Sequence, residues 1–555
     1  MNNTRSIIEP QTSFRIARKR SLLALMATAV VRTVALAGVL LGSNGCGDAY
    51  AQAQWVGERP SMPYLGWTTW SMQSKFTSYP ATVYRGEAAG DGFQNEVNVR
   101  ANSDAMKSSG LQAHGFRYVN IDGDWDNGLL CQCGNPITWD EYGRPVANTV
   151  RFPSGMAALV SYIHANGQLA GIYWEGGVPP QVWAANAPIL GTPYHVQDIT
   201  QAIVPPATTP PTAWVNGYYN IDFTKPGAQA YINSIISLFA QWGFDYVKMD
   251  GIGPTDTNGV PVYLDNIRAV KIAVQETGRP MYVNLSASLD HDYAYWWERY
   301  SNGRRIDGDI ECSERRDPDC GVGSPTGLAN ITDWTQVSAR FTDVINWQDE
   351  SGVRRGWNDF DSLEVGNGTN GVYPASSREI LLMSNISPAP PATNLAGQPA
   401  FVDGLSDDER QSAVTLWSIM GAPLQLGDDL TLLDNFGIQL LTNDEVLGVD
   451  QSGTPGHVVY EGATPVYAQA LCDGSYYVAL FNTGESAATV TVNWVDLGFT
   501  SDASVRDLWQ HMELGTYPGA YSVTLNPHAS SLVRVTPTQP EVPVSGCGEQ
   551  QGAWH

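Results

Sequence analysis

Short apolar runs alternate with longer amphipathic ones over most of the chain. FRYVNID (116–122) gathers aromatic and β-branched residues and ends in acid. MAALVSYIHANG (156–167) carries its apolar residues at helical spacing and predicts a helix stopped by Gly167. LAGIYW (169–174) predicts the next strand, and AQAYINSIISLFAQWG (228–243) a second helix closed by Gly243. FDYVKMD (244–250) reads as a buried strand, again ending in acid, followed by a helix over 266–278 and a strand, PMYVNLS, over 280–286. This βα rhythm runs to about Leu447. An open doubly wound sheet and a closed (β/α)8 barrel share the rhythm. Acidic and polar residues recur at the ends of several strands, where barrel active sites assemble, and no Gly-rich phosphate loop opens the first unit. The pattern therefore predicts a (β/α)8 TIM barrel.

From about residue 453 the texture changes. HVVYEG, PVYAQAL, SYYVALFNTG, AATVTVNWVDLG and YSVTLNPHASSLVRVTP alternate with period two between Gly, Asn and Pro turns. That predicts a C-terminal antiparallel β-sandwich. The chain divides into a leader over 1–53, a catalytic barrel over 54–450, the sandwich over 451–536 and a tail over 537–555. In the leader, Arg15, Arg18, Lys19 and Arg20 precede the apolar stretch SLLALMATAVV, interrupted by Arg32, and small residues follow. This predicts a secretory signal cleaved near Ala51 or Ala53, hence a secreted or periplasmic protein. A membrane anchor is the competing reading. SNGC places Cys46 as in a weak lipobox, which makes lipidation at Cys46 a second route to the membrane. No later apolar run is long enough to span a bilayer.

Composition narrows the partners. Of 555 residues 43% are hydrophobic but only 16% charged, with 18 Trp, 55 Gly and 34 Pro, which suits a loop-rich extracellular protein meeting neutral polar ligands. The formal charge of −25 repels nucleic acid and anionic membrane. Six of the seven cysteines follow the leader, and Cys312 and Cys320 enclose a short loop that a local bridge would close. Cys–His metal spacing is absent, so neither a metal nor any other cofactor is expected.

Two aspartates stand out as chemistry. Cleaving an acetal with retention needs two carboxyls roughly 5–5.5 Å apart, one to attack the anomeric carbon and one to protonate the leaving oxygen. Asp250 ends a buried strand, with Lys248 two residues earlier on the same face. Asp309, in RRIDGDIEC, lies one βα unit further on with Arg305 four residues before it. A strand-terminal Asp is more often a helix cap or turn residue, so pattern alone makes these candidates only.

Ordered motifs carry a resemblance. PYLGWTTWSMQS (63–74), YVNIDGDW (118–125), DYVKMD (245–250), RIDGDI (305–310), WNDFDSLEVGNG (357–368), the stretch over 404–430, LLTNDEVLGVDQ (440–451) and VRDLWQHMELG (505–515) resemble, in order, the segments of the melibiase family, glycoside hydrolase family 27 of clan D. The resemblance runs from about Pro63 to the end of the sandwich. It implies a retaining, exo-acting α-glycosidase, α-galactosidase-like, with Asp250 as nucleophile and Asp309 as acid/base. Trp67, Asp122, Lys248, Arg305 and Asp361 would line or support subsite −1, and an oligosaccharide or polysaccharide would be the substrate.

The departures bear on the sugar. Where the family has paired aspartates, the chain has Asp122–Gly123 followed by Asp124. GIYWEGG (171–177) offers Trp174 as a stacking face and Glu175 as an acceptor, and YVNLSAS (282–288) brings Asn284 to a strand end with a changed pattern around it. A site that grips a hydroxyl discriminates through the cost of unpaired polar groups, and losing one grip weakens the case for galactose. An isomalto-dextranase-like enzyme acting on α-1,6-glucan is the alternative, unless Asp124 or Glu175 restores the grip. An inactive carbohydrate-binding barrel is the third reading, with no need for both carboxyls.

Overall fold

The computed structural model describes residues 60–78, 93–126, 139–200, 218–252, 264–311, 331–367 and 403–539. The leader, Cys46 and the proposed Cys312–Cys320 bridge lie outside them. Cys472, the one cysteine among them, is disulfide-bonded. No helix among the described residues is long and apolar enough to cross a membrane.

Eight parallel strands form one curled sheet: β1 (Leu65–Thr68), β2 (Tyr118–Ile121), β3 (Leu169–Glu175), β4 (Tyr246–Asp250), β5 (Tyr282–Leu285), β6 (Gly303–Arg305), β7 (Trp357–Asp359) and β8 (Leu424–Leu426). Neighbours in sequence are neighbours in the sheet, and β8 returns to pair with β1. The remaining seam closes just past β7. There Leu363 pairs with Leu426, its N–H donating to the Gln425 carbonyl at 2.8 Å. The predicted barrel is thus the observed one.

Strand parity sorts the side chains. Outward residues such as Val119, Ile121, Ile172, Val247, Met249 and Val283 join the helices in one core. Inward residues stack in layers, as barrel interiors require. The floor is four tyrosines, Tyr64, Tyr118, Tyr246 and Tyr282, with ring centroids 5.1–6.3 Å apart. Above it lie Asn120, Asn284 and Gln425, with Gln425 accepting from Tyr64 at 2.6 Å and from Asn120 at 2.9 Å. The charged residues come last, at the C-terminal rim.

Helices follow the predicted spans within a residue or two: Met156–Ala165, Ala228–Trp242 and Leu264–Thr277. Gly243 closes the second at φ 95°, a conformation that favours glycine. Beyond the barrel, eight strands from His457 to Pro537 make a six-stranded antiparallel sheet and a two-stranded one around a separate apolar cluster. The sandwich docks on the helix Asp407–Met420. Ser412 donates to the His528 carbonyl at 2.6 Å, and His528 itself pairs with Glu409 at 2.6 Å.

Candidate active site

At the rim of β2 and β4 two carboxylates meet one ammonium. Lys248 Nζ lies 2.8 Å from Asp122 Oδ2, and both side chains are buried. The other Asp122 oxygen accepts from the Gly123 N–H at 2.8 Å. Burial pushes the Asp122 carboxyl up, and Lys248 only partly opposes it. Burial would lower Lys248, but Asp122 and then Asp250 more than offset this and raise it. Lys248 therefore stays charged among carboxylates. Asp250 ends β4, two residues past Lys248 on the inward face, and its Oδ1 accepts from the Gly251 N–H at 2.8 Å.

Across the rim, Arg305 gathers the second set. Its Nη2 contacts Asp309, its Nη1 lies 3.1 Å from Asp361 Oδ1, and its Nε donates to the Asp307 carbonyl at 3.2 Å. Burial would lower this guanidinium, but Asp361, Asp309 and Asp250, in that order, raise it strongly. The same buried cation thus feels both candidate catalytic aspartates. Asp361 reaches its place through a left-handed backbone, φ 78°, unusual for a side chain with a Cβ and a local cost that functional sites tolerate. Its N–H donates to Asp359 at 2.9 Å and its Oδ2 accepts from the Ile310 N–H at 2.8 Å. Asp309, the more exposed partner, is left facing the cleft with 38% of its side-chain surface open.

Asp309, Glu311 and Asp361 each bring one carboxylate oxygen within 4.8 Å of the others. The positive charge they face is Arg305 itself, whose guanidinium engages both Asp309 and Asp361. We read the group as a counter-ion cluster.

Parity decides which of the other expected residues join. Asp122, Lys248, Asp250, Arg305 and Asp361 are brought together. Asn284 shares their inward face but lies one layer down, buried, donating to Asp359 Oδ2 at 2.5 Å, so it supports the rim from below. Trp174 is corrected. It alternates with inward-facing Tyr173 and Glu175 and is buried in the core between strands and helices, so it offers no stacking face to a sugar. Trp67 is likewise on the outer face, with no exposed surface, its indole N–H donating to the Asp428 carbonyl at 2.7 Å. It supports the site without lining it. Glu175 accepts from the Tyr173 hydroxyl at 2.5 Å. Asp124, at φ 63°, faces Tyr218 together with Asp126 and Glu175.

The site contains residues that sequence reasoning did not single out. Tyr173 is inward by the same two-residue period that placed Glu175. Its ring centroid lies 5.6 Å from Lys248 Nζ, and Trp70 stands 5.9 Å from the same nitrogen. A Cβ on Gly123 would meet the Tyr173 ring at 3.4 Å. Asp359, Glu311 and Glu364 complete the set, and all three sit inside the motifs quoted above.

Known proteins resemble this chain in sequence and in fold. The family described as Alpha galactosidase A matches residues 62–183 and 220–390, and the Alpha galactosidase C-terminal beta sandwich domain matches 461–535. The chain is 26% identical to Alpha-galactosidase 2 of Arabidopsis thaliana over 480 residues, covering 85% of this chain and 89% of that one. It is 28% identical to the alpha-galactosidase of Coffea arabica over 448 residues, covering 80% and 90%. Among solved structures, a β-L-arabinopyranosidase from Geobacillus stearothermophilus is similar with TM-score 0.68 at 28% identity, covering 87% of this chain and 98% of that one.

Proposed function

From its membership of the alpha-galactosidase A family, glycoside hydrolase family 27, to which this chain belongs, we infer how the rim works as a retaining, exo-acting α-glycosidase and which sugar it prefers. The chain is a glycoside hydrolase of α-galactosidase-like type. In the first step a carboxylate oxygen of Asp250 bonds to the anomeric carbon. The glycosidic C–O bond breaks, and its oxygen takes a proton from Asp309. In the second step water loses a proton to Asp309, its oxygen bonds to the anomeric carbon, and the bond to Asp250 breaks. Two such inversions give retention, and the residues return to their starting states.

The observation that carries the assignment is the pair of buried cations. Lys248 lies between Asp122 and Asp250, and Arg305 between Asp309 and Asp361. Lys248 sets a positive charge beside Asp122 and Asp250 on the nucleophile side. Asp309 is the more open carboxyl, placed to exchange protons with a leaving group and then with water. Export by the N-terminal leader would place this activity outside the cytoplasm.

At subsite −1 we favour a galacto-configured pyranose, galactose or its C6-lacking counterpart β-L-arabinopyranose. The glucan reading leaned partly on Trp174, and that side chain is in the core. Gly123 supplies no side-chain acceptor, but Asp122 and the Tyr173–Glu175 pair stand beside the place it leaves. Hydrolysis of p-nitrophenyl α-galactoside, p-nitrophenyl β-L-arabinopyranoside and dextran separates the readings. Turnover of either aryl glycoside is expected, and cleavage of dextran alone sinks the galacto assignment. Asp250→Ala should abolish turnover; substantial residual activity means another residue is the nucleophile.

A further inference from the structure

The helix Trp334–Trp347 buries Val337, Arg340, Phe341, Val344 and Trp347, a stripe at helical spacing. Arg340 is the one charged residue in that stripe and is 2% exposed. A guanidinium in such a place is costly unless it is paired and hydrogen-bonded. Its fork is filled. Nη2 donates to the Gly308 carbonyl at 2.7 Å, Nε donates to the Phe360 carbonyl at 3.3 Å, and Nη1 lies 2.7 Å from Asp307 Oδ2. Nη1 also reaches the Gln336 carbonyl of its own helix at 3.5 Å.

The carbonyls held on the two rim loops share one feature. Gly308 immediately precedes Asp309, and Phe360 immediately precedes Asp361. Each carbonyl belongs to the peptide plane that enters the acid. The plane that leaves Asp309 is held as well, since the Ile310 N–H donates to Asp361 Oδ2 at 2.8 Å. Both peptides flanking the Asp309 Cα are therefore fixed, one by Arg340 and one by Asp361, whose own entry Arg340 also holds. Arg305 then takes the two carboxylates. The Asp309 side chain is 38% open, so its direction depends on this backbone more than on packing.

We propose that Arg340 is a positioning residue for the acid/base step: from a helix outside the strands, it fixes the backbone entering Asp309 and Asp361 and so aims the Asp309 carboxyl into the cleft. This rests on the glycosidase reading above. Arg340 acts through the two loops and not on the sugar. A lysine would keep the charge beside Asp307, but its ammonium is a single point and lacks the fixed donor directions of the fork.

Misplacing a general acid has a signature that loss of folded protein lacks. A poor leaving group needs the proton and a good one does not, so the first suffers and the second is spared. The test compares kcat/KM for the methyl and p-nitrophenyl glycosides of the sugar that wild type accepts. Both are measured on one preparation, so any unfolded fraction cancels in the ratio. Arg340→Lys should fall about 10–100-fold on the methyl glycoside and less than about threefold on the p-nitrophenyl glycoside, as for an acid displaced rather than removed. Arg340→Gln, which also loses the charge beside Asp307, should shift the ratio at least as far. On the p-nitrophenyl glycoside kcat and KM should fall together, because attack by water still needs Asp309 as base. Azide, a nucleophile that needs no base, should restore kcat. Asp343→Asn changes the carboxyl that faces Asp307 and Arg340 without touching either carbonyl, and should keep the wild-type ratio. An unchanged ratio in both Arg340 variants, whether activity is lost or kept, overturns the inference and leaves the glycosidase reading intact. An equal shift in Asp343→Asn also overturns it, since the charge and not the carbonyl contacts would then be the cause. Absence of wild-type turnover on every glycoside overturns both readings.

Discussion

Replacing Lys248 with Met removes one charge and keeps most of the side chain's length. The structure sets the size of the effect. The Lys248–Asp122 contact is 2.8 Å between side chains 10% and 3% exposed. At an effective dielectric of about 20, two unit charges at that distance attract by about 6 kcal/mol before desolvation. Breaking a buried pair by deleting one partner costs about 3–5 kcal/mol, because the other charge is stranded. Asp122 has an escape: it can take a proton. Its folded pKa is already raised by burial, and Lys248 is what opposes the rise. Without Lys248 it climbs further. A carboxyl whose folded pKa exceeds its unfolded value binds more protons in the folded state, so stability falls as pH rises between the two. Lys248→Met should therefore lose about 3–5 kcal/mol at pH 8 and progressively less toward pH 5. Adding Asp122→Asn should recover most of the loss at pH 8, a strong coupling in a double-mutant cycle. Urea denaturation followed by circular dichroism at pH 5 and pH 8 measures all four proteins. A pH-independent loss, or additive single and double variants, would refute the claim that Lys248 works by pairing with Asp122.

Two further outcomes follow from burial. Trp174→Ala should cost about 3–5 kcal/mol in unfolding free energy through the cavity it leaves. It should leave KM within about twofold, since the indole is in the core; a large KM change with little loss of stability would put Trp174 back in the cleft. Glu364→Gln should raise the melting temperature at pH 7–8. Burial, then Glu311, lifts Glu364 well above its ordinary value, so its penalty is absent below about pH 4.5 and grows as pH rises toward the folded value. The variant should regain about 1.4 kcal/mol per unit of that rise and gain nothing near pH 4; an equal gain at both pH values would mean the effect is not protonation.

The strands and most helices were legible because their apolar spacing is regular. FDYVKMD predicts a strand over 244–250, and β4 is Tyr246–Asp250. The acids at strand ends were legible for the same reason, since the barrel puts those ends on one rim. Facing was the harder part. Trp174 sits one residue from Glu175 and one from Tyr173, and a one-residue step in a strand reverses the face. Counting back in twos from Asp250 along β4, and from Glu175 along β3, places Lys248 and Tyr173 inward and Trp174 outward. The same count on β1, where Gly66 lies against inward-facing Tyr118, turns Trp67 outward. Glu311 and Glu364 could not be found this way. Glu311 accepts from the Ser71 hydroxyl in the helix Trp70–Ser78, and Glu364 lies against the same hydroxyl although 53 residues separate the two glutamates in sequence; no local period encodes a contact between a helix and two loops.

The change at Gly123 is not forced by packing. No positive φ is involved, and a Cβ there would make ordinary contact with the Tyr173 ring at 3.4 Å. An aspartate at that position could therefore be accommodated by the backbone, and the absence of its carboxylate is a matter of what the cleft must hold. Around that gap the charge balance is otherwise kept. Lys248 still faces Asp122 and Asp250, and Tyr173, its hydroxyl tied to Glu175, walls the side that Gly123 leaves bare. The proposed catalytic aspartates stand beside Lys248 and Arg305, which arise from the strands themselves, whereas the sugar's hydroxyls would meet the first residues past each strand. The two can therefore change separately. On the proposed reading, that separation lets the reaction be kept while the wall is rebuilt, and exchanges at Tyr173, Glu175 and Gly123 are expected to shift sugar preference more than the chemistry itself.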